Sequence, residues 1–102
     1  MKEAQFDWDQ WNSQKNESKH GVSRVEAESA FYDAGYALFE DITHSRMAEI
    51  RYILYGRSLE NRVLMIGFTF RGQKIRIITA RPASRKERVI YETEKESWNP
   101  WL

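Results

Sequence analysis

Cysteine is absent from all 102 residues. That excludes a disulfide scaffold, a thiolate nucleophile and a thiolate zinc site, and it fits a reducing compartment, with the cytoplasm as the expected location. Only two histidines occur, too few for a His-rich metal cluster, so neither a metal nor a cofactor is expected. Two prolines and five glycines are scattered, with no repeat, low-complexity tract or linker between them. The longest apolar run, Val63-Leu64-Met65-Ile66-Gly67-Phe68, is far short of the roughly 20 residues that a spanning helix needs. Met1-Lys2-Glu3-Ala4-Gln5 lacks a signal-peptide pattern, so neither membrane insertion nor secretion is expected. Also missing are a P-loop, a dinucleotide fingerprint and a Gly-x-Ser-x-Gly elbow, which argues against nucleotide hydrolysis, redox chemistry and serine hydrolysis. What is present is a core supply of 4 Trp, 5 Tyr and 5 Phe within 41% hydrophobic residues, enough for one folded domain over 1–102.

The net charge of +1 conceals a segregation. Between Arg57 and Arg88 lie nine basic residues, most of them Arg, against the two acids Glu60 and Glu87, a net of +7 that leaves −6 for the rest of the chain. The planar Arg fork matches phosphate oxygens two at a time, so a polyanion is the natural partner of this segment. The alternative is a solvated charged surface paired to the acidic half of the same chain.

Asp9 can cap a helix running to about Lys19, with Gly21 where a left-handed terminal residue is wanted. Ser23-Arg24-Val25-Glu26 is a capping-box pattern, and Ala27, Ala30, Phe31 and Ala34 then trace one buried helical face before Gly35. From Tyr36 the period changes to that of strands, predicted at 36–41, 50–56, 62–70 and 74–81, the last three forming an antiparallel meander. Asp41, Thr43, His44 and Ser45 lie in a polar loop. Pro82 ends the fourth strand, and Ser84-Arg85-Lys86-Glu87 is a second capping box opening a helix to about Glu96. Trp98-Asn99-Pro100-Trp101-Leu102 follows as an aromatic tail able to pack on the sheet or meet a partner. The fold class is α+β: two N-terminal helices, a four-stranded, mainly antiparallel sheet and a C-terminal helix.

Strand alternation places Ile75, Ile77 and Thr79 on a core face, Lys74, Arg76, Ile78 and Ala80 on the other, and Arg81 back on the first at the strand end. Arg76 in mid-strand is a candidate phosphate ligand. Arg81, Arg85 and Arg88 flank the strand-to-helix junction, whose helix N-terminus also favours an anion. Arg85, Arg88 and Tyr91 read as one helical stripe able to hold a phosphate and a base, or else as an ordinary surface where Glu87, Glu92 and Glu94 pair with the arginines. Lys19-His20 ends the first helix, with Asn16 on nearly the same face as His20. A helix C-terminus favours the imidazolium and brings His20 toward titration near neutrality, as an acid or base requires. His44, near Asp41 and Glu40, carries no supported metal role.

Phe6-Asp7-Trp8-Asp9, Lys15-Asn16, Lys19-His20-Gly21-Val22-Ser23, Glu26-Ala27 and Ala30-Phe31-Tyr32-Asp33 resemble, in order and spacing, the N-terminal half of BrnT toxins. Arg51 through Gly56-Arg57-Ser58, Ile75-Arg76-Ile77-Ile78-Thr79-Ala80-Arg81, Ser84-Arg85-Lys86-Glu87-Arg88 and Tyr91-Glu92 resemble the C-terminal half. Two positions depart from it: Gln10-Trp11 replaces a Pro-containing helix start, and Thr79 stands where Ser is common. Residues 97–102 lie outside the pattern. The resemblance implies a type II toxin of the RelE/ParE-like superfamily, a small α+β domain that cleaves RNA without a metal and inhibits translation. It further implies a BrnA-type ribbon-helix-helix antitoxin that neutralises the toxin and binds operator DNA together with it. On that basis Lys19, His20, Arg76 and Arg81 are the expected catalytic residues, and Arg57, Arg85, Arg88 and Tyr91 the expected RNA and phosphate contacts. The competing expectations are a degenerate toxin that binds RNA or antitoxin without cutting, and a gyrase-directed toxin.

Overall fold

The computed structural model describes residues 4–97; the Trp98–Leu102 tail lies outside the described residues. Seven elements follow one another: α1 (Gln10–His20), α2 (Arg24–Ala30), β1 (Ala37–Glu40), β2 (Arg51–Arg57), β3 (Val63–Arg71), β4 (Lys74–Pro82) and α3 (Arg85–Ser97). The strands form one sheet in the order β1-β2-β3-β4, each pair antiparallel. The whole sheet is therefore a meander, as chain-adjacent strands with short turns favour. Gly72 turns the β3–β4 hairpin at φ 60°, and Asn61 takes the same left-handed region between β2 and β3.

All three helix starts are built by side-chain caps. Asp9 accepts the Trp11 N–H at 2.8 Å, and Gly21 closes α1 at φ 67°. Ser84 and Glu87 form a reciprocal box at the start of α3, the Glu87 N–H donating to Ser84 Oγ at 3.2 Å and the Ser84 N–H to Glu87 Oε1 at 2.8 Å. At α2 the box is only half made. Ser23 Oγ accepts the Glu26 N–H at 3.1 Å, but the Glu26 carboxylate turns inward to Arg62 and Ser58. This helix also stops earlier than its apolar spacing predicts: it ends at Ala30, Phe31 is the cap residue, and Ala34 is exposed.

One face of the sheet carries Leu54, Leu64, Ile66, Phe68, Ile77 and Ala80 against Val22, Ala27, Ala30 and Phe31. Phe6, Phe31 and Phe68 stack edge to face at 5.2 and 5.1 Å between ring centres, each buried ring contributing roughly 1.5–3 kcal/mol. The opposite face is covered at one end by α3, where Ala37, Tyr55, Val63, Ala83 and Tyr91 close a second cluster. The end of α2 packs tightly on β2 at Gly56, where a Cβ would fall 2.4 Å from the Ala30 carbonyl oxygen.

The strand alternation predicted for β4 breaks in the middle. Phe68 pairs with Ile77 but Gly67 with Thr79, so Ile78 is an unpaired bulge residue. Beyond it the parity inverts: Ala80, rather than Thr79, is fully buried. Directly paired residues share a face, so the rows Arg51-Thr69-Arg76, Ile53-Gly67-Thr79 and Tyr55-Met65-Arg81 all lie on the α3 side. Arg76 and Arg81, expected on opposite faces, thus stand on the same one.

Candidate active site

α1 is almost wholly polar, and its attachment to β4 is itself polar. Asn16 is buried, and its Oδ1 accepts the Ala80 N–H at 3.1 Å. One turn later on the same stripe comes His20. Its pKa is lowered, first by desolvation and then by the cations Lys19, Arg81 and Lys15. The helix C-terminus was expected to favour the imidazolium; partial burial among three cations outweighs it. The structure therefore brings Lys19, His20 and Arg81 into one electrostatic neighbourhood where α1 meets β4.

The arginines of β4 are already paired. Arg81 grips Glu87 with both terminal nitrogens, at 2.8 and 2.9 Å, and reaches the Pro82 carbonyl at 3.2 Å. The Glu87 pKa is lowered by that bond above all, and the Arg81 pKa is raised by it. Arg76 bonds Asp7 at 3.0 Å and lies 3.7 Å from Asp9, while its buried Nε has no hydrogen-bond partner among the described residues. Arg62 is committed to Glu26. Several cations of the basic segment are thus neutralised within the chain, as the alternative reading of the charge held.

The expected helical stripe of Arg85, Arg88 and Tyr91 does not form. Arg85 and Arg88 are exposed, and Arg88 donates to the Ala83 carbonyl at 3.0 Å. Tyr91 is fully buried beneath α3, its hydroxyl donating to Asp33 Oδ2 at 2.6 Å. Burial, followed by the Asp33 carboxylate, pushes its phenol up to about 12. Arg57 lies 5.8 Å above the Tyr91 ring and pairs with Glu92 at 3.3 Å. Tyr91 is a core residue here because a 240° swing around the helix from Arg85 points it at the sheet, and it presents no surface to an RNA base.

Sequence reasoning passed over a cleft of about 380 Å³ on this same sheet face, whose lining includes Asp41, His44, Arg51, Gly67, Thr79 and Arg81. His44 Nδ1 lies 2.8 Å from Asp41 Oδ2. The three-residue spacing of Asp41 and His44 was the available signal, but nothing in the chain showed that their loop overhangs the sheet. Among the described residues no group of three or more His, Asp or Glu side chains converges as metal ligands.

Residues 8–87 match the family model described as the ribonuclease toxin BrnT of type II toxin-antitoxin systems. The chain belongs to the BrnT family. The match spans Lys19, His20, Arg57, Arg76, Arg81 and Arg85 and stops before Arg88 and Tyr91. Its fold is shared with the Brucella abortus ribonuclease toxin BrnT, known from a 1.1 Å crystal structure, at TM-score 0.59 and 20% identity over 80% of this chain and 99% of that one. No curated protein matches it. Among the described residues of this BrnT-family chain no helix is long and apolar enough to cross a membrane.

Proposed function

We propose that this ribonuclease toxin is a metal-independent endoribonuclease that holds the scissile RNA phosphate beside Arg81, where β4 meets the end of α1. The observation that carries the reading is the setting of His20, an imidazole held below its ordinary pKa of 6.5 while standing among Lys19, Arg81 and Lys15. At pH 7 such a ring is neutral and can accept a proton, while its neighbours attract a phosphate. In the proposed step His20 takes the proton of an RNA 2′-hydroxyl, and the 2′-oxygen forms a bond to phosphorus. The bond from phosphorus to the 5′-oxygen breaks, and Lys19 delivers a proton to that leaving oxygen. The products are a 2′,3′-cyclic phosphate and a 5′-hydroxyl. Arg81, with Arg76 on the same face, offsets the extra negative charge of the phosphorane. The Arg81 fork holds two carboxylate oxygens of Glu87 side by side, the geometry with which it would hold a phosphate. Arg57, Arg85 and Arg88 serve neighbouring phosphates.

Message cleavage would halt translation, and a BrnA-type ribbon-helix-helix antitoxin would neutralise it by laying an acidic segment over exposed cations such as Arg71, Lys74, Arg85 and Lys86. Operator DNA would be met through that antitoxin. Induction of the chain should arrest growth, and His20→Ala and Arg76→Ala should each relieve the arrest while still co-purifying with the antitoxin. Undiminished arrest by both variants would contradict the assignment. A second reading, a module that binds RNA without cutting it, is favoured by the carboxylates already seated on Arg76 and Arg81. It would give RNA retention with no new ends.

A further inference from the structure

The sheet face that carries Arg76 and Arg81 has more built into it than a phosphate grip. The cleft of about 380 Å³ opens across β2, β3 and β4, between the β1–β2 loop and the start of α3. Its size is at the small end of the range for ligand sites, about 300–1,000 Å³. The depth has a structural origin. In the row Ile53-Gly67-Thr79 the central residue has no side chain, and the Ile78 bulge lies beside it. Ile53 and Met65 supply apolar lining, while Arg81 belongs both to the cleft and to the surroundings of His20.

We infer that the cleft receives the nucleoside adjoining the scissile phosphate, and that His44, held by Asp41, reads the edge of its base. Asp41 Oδ2 lies 2.8 Å from His44 Nδ1. A carboxylate only accepts, so Nδ1 carries a proton and Nε2 is the ring nitrogen left to meet a base edge. A hydrogen-bonding group on that edge would pair with it. The apolar lining takes the face of the base, as aromatic and aliphatic surfaces do for unstacked RNA bases, and Arg51, paired with Glu49 at 2.9 Å, stands at the same wall, where a backbone phosphate would take the place of that half-exposed carboxylate. A single-stranded RNA nucleotide is the ligand that uses an apolar slot, a directional hydrogen-bonding nitrogen and flanking guanidinium groups together. This inference rests on the reading of the chain as a ribonuclease centred on Arg81, and it adds the place where sequence preference is set.

The test uses the full chain labelled with nitrogen-15 and titrated, in EDTA, with each of the four nucleoside 3′-monophosphates. The Gly67 and Thr79 amides should shift saturably, and one base should bind about tenfold more tightly than the poorest, the worth of one good hydrogen bond. His44→Ala changes an exposed side chain and should flatten that preference. Gly67→Ala adds a Cβ whose nearest neighbour would be Thr79 Cβ at 3.8 Å, so the fold persists while the slot is partly filled, and affinity for every nucleotide should fall. Shifts confined to the amides around His20 and Arg81, or both variants binding all four nucleotides as the wild type does, would overturn the inference. Wild-type cleavage of RNA is measured in parallel. Selective binding in the cleft without cleavage would sink the ribonuclease mechanism and leave the cleft standing; cleavage without cleft binding would do the reverse.

Discussion

Removing the Arg62 guanidinium should strand a carboxylate in the interior, and the cost can be worked from the geometry. The Glu26 side chain is 5% exposed and that of Arg62 40%. Arg62 Nη2 and Nε lie 2.6 and 2.7 Å from the two Glu26 oxygens, and Ser58 Oγ donates to Oε2 at 2.7 Å. Breaking a buried pair by deleting one partner costs about 3–5 kcal/mol, and solvent at the outer end of Arg62 lowers this to about 2–3 kcal/mol. For a domain of this size that corresponds to a fall in Tm of roughly 10–20 °C. Urea melts of wild type and Arg62→Ala at pH 7 read the difference directly, with an unchanged slope expected if only the native state is affected. The pH dependence has a definite sign. The Glu26 pKa is depressed in the folded protein, its bond to Arg62 being the largest cause, ahead of a desolvation that opposes it. A carboxylate of that kind contributes stability above its unfolded pKa and loses it as pH falls through the folded one. The gap between wild type and Arg62→Ala should therefore be full at pH 7 and shrink as the pH drops below the ordinary 4.5. A gap under about 0.5 kcal/mol at pH 7, the scatter of an ordinary surface substitution, or one that widens on acidification, would refute the reasoning.

Three further outcomes follow from particular contacts. Gly56→Ala places a Cβ 2.4 Å from the Ala30 carbonyl oxygen, so it should cost about 3 kcal/mol or more, measured by the same melts. Asn16→Ala leaves the Ala80 N–H without its acceptor and should lose about 1–3 kcal/mol; since α1 carries His20, RNA cleavage at a temperature where the variant is still folded should fall as well. Tyr91→Phe removes a hydroxyl that touches Asp33, so it should lower thermal stability while leaving the cleavage rate near wild type; a selective loss of cleavage would return Tyr91 to the site.

Much of this architecture is written in local signals. Asp9 with Gly21, and Ser84 with Glu87, state their helix ends in residue types that satisfy free amides, and Gly72 states its turn. Local signals failed where a distant residue competes. Glu26 abandons the capping role because Arg62, 36 positions away, offers a stronger partner. The Ile78 bulge reverses the alternation after mid-strand because register belongs to the β3–β4 pair, and no pattern within β4 alone contains it. That one residue decides whether Arg76 and Arg81 can share a face. Tyr91 misled for a related reason: spacing along a helix shows which residues align, but which stripe faces the sheet is fixed by packing. His20 was legible as a candidate, whereas its lowered pKa depends on Arg81, which only the fold brings near.

The central claim is that the cations and the imidazole where α1 meets β4 cut RNA. Its most direct test is incubation of purified, antitoxin-free chain with a defined RNA in excess EDTA, alongside His20→Ala and Arg76→Ala, with the product ends identified. The account predicts cleavage by the wild type alone, leaving 2′,3′-cyclic phosphate and 5′-hydroxyl ends. Cleavage that survives in both variants, or that vanishes in EDTA and returns with a divalent metal, would contradict it.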